Sequence, residues 1–194
     1  MELYLYIFMY YSLFVLQSTV TQTYGVMMYV SMIFSGAFIG YSIGTAPIIG
    51  YHFGAQNHDE LKGLLKKSII LIGLFSVGIL LAGQILAVPL GRFFVGYDIE
   101  LLDMTVSGFR IFATSFLFMG YAIFGSGFFT ALNDGVTSAV ISFLRTVVFQ
   151  IAAVLLLPLI LDIGGVWYSI VIAEFMAMLL SAVFVVMKRK KYHY

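Results

Sequence analysis

The chain is 194 residues long, 62% hydrophobic and only 10% charged, and its ten basic and nine acidic side chains leave a net charge of +1; its mean hydropathy is +1.05. A water-soluble domain carries roughly 25% charged residues, so a cytosolic enzyme is excluded, and so is a nucleic-acid binder that works by neutralising phosphates. With no cysteine there are no disulfides, thiolate nucleophiles or cysteine-held metals; the composition is that of an integral membrane protein, with apolar residues for roughly six spans of about 20 residues each.

The spans lie in the gaps between charge clusters. No formal charge occurs between Glu2 and Asp59, a stretch too long for one helix and too polar at residues 17–23 to be continuous, so two helices with a turn there are expected. The first, residues 3–16, is short, covering about 21 Å of a ~30 Å hydrocarbon core, and its helix is expected to be incomplete. The second occupies residues 25–49. The third, 68–90, has Pro89 near its end, where proline costs least. The fourth covers 109–132, the fifth 136–161 and the sixth 166–187. Turns between the last three are expected at Leu132-Asn-Asp-Gly135 and Asp162-Ile-Gly-Gly165, because Asn, Asp and Gly tolerate left-handed backbone angles. The segments are continuously apolar and twice the length of a barrel strand, without two-residue alternation, which favours helices over a membrane barrel. One six-helix transmembrane bundle over residues 1–194, all-α, is the expected fold.

Lysine and arginine placement sets the orientation. Lys62, Lys66 and Lys67 follow the second span and Lys188, Arg189, Lys190 and Lys191 form the tail, so both regions belong on the cytoplasmic side of the plasma membrane. The loop after the third span has Arg92 against Asp98, Glu100 and Asp103, as an outer loop should.

An ionisable group at mid-membrane costs about 2.5–3.5 kcal/mol on insertion scales, so each needs a reason. Arg110, within a turn of the start of the fourth span, can snorkel to the outer surface. Arg145 lies roughly 13 Å into the fifth span, and Glu174 stands ~20 Å from the basic tail, nearest the middle. Gln150 reaches a similar depth, so a hydrogen bond between Gln150 and Glu174 is expected. Two readings of Glu174 stand side by side: a buried, protonated carboxyl that pins the sixth span to the fifth, or a carboxylate that takes up a proton or cation. Gln150 and Arg145 are candidates for the same coupling role.

Gly36, Gly40 and Gly44 form a stripe at spacing four on the second span, a face that lets another helix approach closely, and Pro47 predicts a kink or break near the cytoplasmic end of that helix. Broken helices are where many transporters bind ions. The fourth span is rich in aromatic rings, of which Phe116, Tyr121 and Phe124 are candidates for a cavity that takes flat organic cations; lipid and neighbouring helices would accept the same rings. His52, His58 and His193 lack ligand-spaced partners, so no metal site is expected. No P-loop, Gly-x-Ser-x-Gly or His-Glu-x-x-His sequence occurs, so no enzymatic activity is expected.

Three runs carry a resemblance. Gly44 to Lys62 (GTAPIIGYHFGAQNHDELK) resembles the segment that closes the second helix of the C-terminal lobe in multidrug and toxic compound extrusion (MATE) transporters. Ala131 to Thr146 (ALNDGVTSAVISFLRT) looks like that family's junction between its tenth and eleventh helices, and Gly165 to Glu174 (GVWYSIVIAE) is similar to its last helix. The resemblance extends from about Tyr24 to the end of the chain, while the Tyr-rich first twenty or so residues depart from the family's pattern.

The resemblance implies a secondary antiporter in which inward flow of protons or sodium drives organic cations and xenobiotics outward, with no cofactor beyond the ion gradient. It implies twelve helices in two lobes, of which this chain matches the second. A truncated or split form is therefore expected, one that needs an N-terminal lobe or a second membrane chain, since alternating access requires two bundles rocking about a site between them. Two alternatives remain: a non-catalytic membrane subunit or assembly partner, and a lipid-linked sugar flippase of the same superfamily. The flippase is disfavoured because Arg110 and Arg145 alone could meet a pyrophosphate.

Overall fold

The computed structural model describes residues 18–194, and every regular element in that range is helical. Seven α-helices follow one another: α1 (Ser18–Gly54), α2 (His58–Val95), α3 (Ile99–Ala113), α4 (Phe116–Ala131), α5 (Gly135–Phe143), α6 (Gln150–Leu156) and α7 (Pro158–Tyr192), with a π-helical segment, Leu144–Phe149, joining α5 to α6. Four helical stretches are long and apolar enough to cross a membrane: Thr23–Gly54, His58–Val95, Gly135–Leu161 and Gly164–Tyr192. α3 and α4, bent by 46° at a short break, meet the same length and hydropathy requirement when taken together. These stretches overlap the five later spans expected from the sequence. The expected first span, residues 3–16, lies outside the described residues.

The boundaries differ from expectation for one recurring reason: hydropathy marks the apolar part of a helix, and capping carries the helix past it. Asn57 starts α2 by accepting the Glu60 amide, and Asp59 and Glu60 occupy its first turn, where negative charge suits the helix dipole. α2 therefore reaches 38 residues, about 57 Å, well beyond a ~30 Å core. The loop expected over residues 91–108 shrinks to a tight turn, because Asp98 Oδ1 accepts the Leu101 amide at 3.1 Å and starts α3.

Residues 18–23, expected in a turn, are the first turns of α1. The hydroxyl of Thr23 is fully buried and pairs with that of Thr105 on α3 at 3.1 Å, which satisfies a polar group that would otherwise need water. The expected break at Pro47 is also absent, and α1 runs through it to Gly54. The break falls instead inside the expected fourth span, at Thr114 and Ser115. The turn at Leu132–Gly135 is present, with Asn133 left-handed at φ 59°. Near 162–165 the helical hydrogen bonding begins already at Pro158. A Cβ on Gly165 would nonetheless meet the Leu157 carbonyl oxygen. Eight residues of straight helix would separate those groups by ~12 Å, so the chain reverses there.

α4 is the centre of the bundle, in contact with α1, α2, α5 and α7. Small residues let its neighbours close in. A Cβ on Gly120 would lie 2.5 Å from the Phe38 ring and 2.9 Å from Ile72, and one on Gly125 or Gly127 would collide with Ser181 or Ser42. Outward-facing residues such as Ile33, Leu74 and Ile85 are 72–75% exposed, an apolar surface that belongs in lipid.

One end of the bundle is tied together by Asp134. It caps α5 by accepting the Thr137 amide at 3.2 Å, while its Oδ2 accepts from the Thr137 hydroxyl at 2.8 Å, from Lys188 Nζ at 2.7 Å and from the Tyr192 hydroxyl at 2.7 Å. The Tyr192 ring lies edge-on to Phe53 at the end of α1, with centroids 5.7 Å apart. Burial alone would raise the Asp134 carboxyl, but the hydrogen bonds from Lys188, Tyr192 and Thr137 outweigh it and hold it well below its ordinary value of 3.8. The stabilisation is therefore complete above about pH 4 and is lost as pH falls through the lower folded value. Asp134→Asn should lower the melting temperature at pH 7 by an amount equivalent to about 1–2 kcal/mol. The gap from wild type should narrow steadily in melts run below pH 4; a gap unchanged by acid would show that the charge contributes nothing.

Candidate functional site: a polar cavity at an intramembrane ion pair

The two mid-membrane charges meet. Arg145 donates from Nε to both carboxylate oxygens of Glu174, at 2.9 and 3.2 Å, and from Nη2 to Oε1 at 2.9 Å. Glu174 is 1% exposed and the Arg145 side chain 21%. This is the geometry of a two-pronged ion pair, and it joins α7 to the fifth span as the structural reading of Glu174 expected. It corrects the expected partner, since Glu174 accepts from Arg145 and not from Gln150. Each charge excuses the other, and the lost hydration is offset by three hydrogen bonds.

The π-helical segment positions the cation. Arg145 is its second residue and Gln150 follows it directly. In an uninterrupted α-helix Phe149 would share a face with Ser142 and Thr146; the wider turn brings Gln150 round to that face. Such insertions recur at functional sites.

The pair lies in the wall of a cavity of about 320 Å³. Its polar lining is Ser31 and Ser35 of α1, Ser126 of α4, Ser142, Arg145, Thr146 and Gln150 of the fifth span, and Glu174 of α7. Met28, Ile39, Phe112, Met119, Ile123 and Ile170 supply the apolar part. A ladder of hydroxyls runs up to it: Thr130 to Ser138 at 2.7 Å, Ser138 to Ser126 at 2.9 Å, Ser126 to Ser142 at 2.7 Å. A mostly apolar concavity with a few convergent polar groups is the usual form of a small-molecule site.

All three coupling candidates, Glu174, Gln150 and Arg145, therefore line one cavity. The three aromatic candidates do not. Phe116 is fully buried against Phe34 and Phe112, with centroids 5.3 and 5.7 Å away. Phe124 packs against Tyr41 and Phe128, and Tyr121 sits over Gly73 of α2. These rings are bundle core, because α4 is surrounded and its apolar residues face neighbours on every side. The glycine stripe faces outward. Gly36, Gly40 and Gly44 are exposed, and a Cβ on any of them meets nothing within 4 Å, so among the described residues no helix packs there. Pro47 lies on the same exposed face. The residues missed in the sequence are the hydroxyls, whose signal was present: Ser31 and Ser35, and Ser138, Ser142 and Thr146, recur every four residues on otherwise apolar helices.

A membrane-embedded helical lobe with a part-polar cavity against an intramembrane ion pair is an arrangement that membrane transporters use. The MatE family profile matches residues 2–156, and the chain belongs to that family, whose members are multi-pass membrane transporters of small molecules. It is 25% identical over 156 residues to multidrug export protein MepA of Staphylococcus aureus (strain bovine RF122 / ET3-1), a match that covers 79% of this chain and 33% of that protein. The whole chain superposes on 44% of a MATE solved in complex with MaL6, with a TM-score of 0.90 at 16% identity. It also superposes on 44% of an outward-facing multidrug resistance MATE family transporter, at 0.88 and 16%. An inward-facing one gives 0.79 at 17%, covering 90% of this chain and 40% of that one. The chain thus spans about a third of the length of the curated relative and less than half of the solved structures, and its fold is that of one MATE lobe.

Proposed function

We propose that the chain is the C-terminal lobe of a multidrug efflux antiporter, truncated or split, that exports organic cations and other xenobiotics in exchange for protons or sodium and acts as a transporter with no enzymatic activity. In this reading it sits in the plasma membrane with a cytoplasmic C-terminus and works with an N-terminal lobe or a second membrane chain. The observation that carries it is the Arg145–Glu174 pair in the wall of a cavity among the membrane helices. A carboxylate held there by one guanidinium can exchange that partner for a proton or cation, and the hydroxyls and Gln150 offer a substrate hydrogen bonds that do not depend on its shape. The export activity printed for the Staphylococcus aureus relative supports the same reading. The exposed glycine face of α1 supports a need for a partner, because a smooth face lets a second bundle approach to backbone contact. That face would equally serve an assembly partner without transport activity. A sugar flippase has less support, since Arg145 is the one cation in the cavity lining.

The test is efflux of ethidium from energised cells that lack other exporters. Cells expressing this chain together with a MATE N-terminal lobe should export the dye, and Glu174→Gln should abolish export with the expression level unchanged. Co-purification of the two chains with no export would instead establish the assembly-partner reading.

A further inference from the structure

A second concavity, of about 390 Å³, lies at the end of the bundle where α2 begins and α7 finishes, apart from the polar cavity. It is lined by Lys62, Leu65, Lys66, Ile69 and Ile70 of α2 and by Val185, Val186, Arg189 and Tyr194. Its polarity is graded along its length. Lys62 and Lys66 are one helical turn apart, and Ile70 stands ~12 Å further along the helix than Lys62. The deeper walls are open apolar surface: Ile69, Ile70 and Val186 are 41%, 54% and 73% exposed.

The two lysines are close, and neither makes a hydrogen bond or ion pair among the described residues. Like charges four residues apart on a helix repel, and Arg189 adds a third from the opposite wall, where its Nε donates to the backbone oxygen of Tyr194 at 3.0 Å. No carboxylate side chain lines the cleft, and among the described residues the two ion pairs are Arg145–Glu174 and Lys188–Asp134. A site with three cations at its mouth and an apolar trough leading away fits one kind of ligand: an anionic headgroup attached to a hydrocarbon chain. Basic pockets between membrane helices hold such lipids.

We propose that this cleft binds one anionic phospholipid, with its phosphate between Lys62, Lys66 and Arg189 and an acyl chain along Ile69, Ile70 and Val186. The site is independent of the transport reading, since it needs only that the chain be in a membrane. On the orientation read from the lysines it takes lipid from the cytoplasmic leaflet.

The full chain, purified in neutral detergent, is mixed with phosphatidylglycerol, phosphatidylcholine or glycerol 1-phosphate, and bound lipid and melting temperature are read by native mass spectrometry and thermal melts. Phosphatidylglycerol should be retained and should raise the melting temperature, with neither control matching it. Lys62→Gln with Lys66→Gln should weaken retention roughly five-fold per cation removed. Lys67→Gln with Lys190→Gln, which removes the same charge from exposed residues outside the cleft, should leave it unchanged. Lysines 62 and 66 make no hydrogen bond or ion pair within the described residues, so melts without lipid should agree between the variant and wild type. Equal losses in the two double variants would reduce the effect to diffuse attraction and overturn the site. Equal retention of phosphatidylcholine would overturn the role of the cations, and stabilisation by glycerol 1-phosphate alone would overturn that of the trough.

Discussion

Arg145→Met should destabilise the protein by about 3–5 kcal/mol, because it strands a buried carboxylate with no cation to meet it. Glu174→Leu should cost a similar amount by stranding the guanidinium, whose side chain is 21% exposed and therefore only partly relieved by water in the cavity. Making both changes should restore most of the loss, since a buried ion pair replaced by apolar groups of similar size is often neutral or better. Melting curves of the four proteins in detergent form a double-mutant cycle that isolates the coupling. The ethidium assay then separates two roles that stability cannot. If the pair serves only to join α7 to the fifth span, the double variant regains export along with stability. If Glu174 exchanges its partner during transport, the double variant is stable and inert. A cycle with no coupling would mean that the two side chains do not meet in solution.

The intramembrane charges were legible in the sequence because a charge in an apolar run is conspicuous whatever surrounds it. Their pairing was not, because they are 29 residues apart and the rotation of two helices about their axes decides whether they meet. Depth alone made Gln150 as good a partner for Glu174 as Arg145. The π-helical segment that sets the rotation has no signature in LRTVVF that hydropathy can read. The aromatics of α4 misled for a related reason. A helix enclosed on all sides has no polar face to mark its orientation, so Phe116, packed away from the cavity, and Met119, which lines it, look alike in the sequence. The break at Thr114–Ser115 went unseen because no proline or glycine marks it, whereas Pro47, which does carry a mark, sits in an uninterrupted helix. The turn at Leu132–Gly135 was legible because its chemistry is local: Asn133 accepts a left-handed backbone and Asp134 caps the next helix.

The glycines give the second large effect, and they separate packing within the lobe from packing against another body. Gly125 on α4 faces Ser181 on α7 so closely that an added Cβ would overlap the Ser181 hydroxyl and come within 3.0 Å of its Cβ. Gly125→Ala should therefore push α4 and α7 apart at the centre of the bundle and cost about 1–3 kcal/mol, the usual range for overpacking. Ser181→Gly in the same protein should recover much of that by moving the space to the other helix, at the expense of the bond to the Tyr121 carbonyl. Gly40→Leu is the contrast: with nothing within 4 Å of its Cβ position, the melting temperature of this chain should stay within the ~0.5 kcal/mol expected of a surface change. Added to a partner lobe, the same variant should fail to co-purify if the stripe Gly36–Gly40–Gly44 is the contact face. Normal assembly would leave that face to lipid and require the partner, if there is one, to dock elsewhere. Spacing four drew attention to the exposed glycines, while Gly120, Gly125 and Gly127, at spacings of five and two, went unnoticed although they meet the tightest contacts on α4. A small-residue stripe records how closely a neighbour could approach, and only the fold records whether one does.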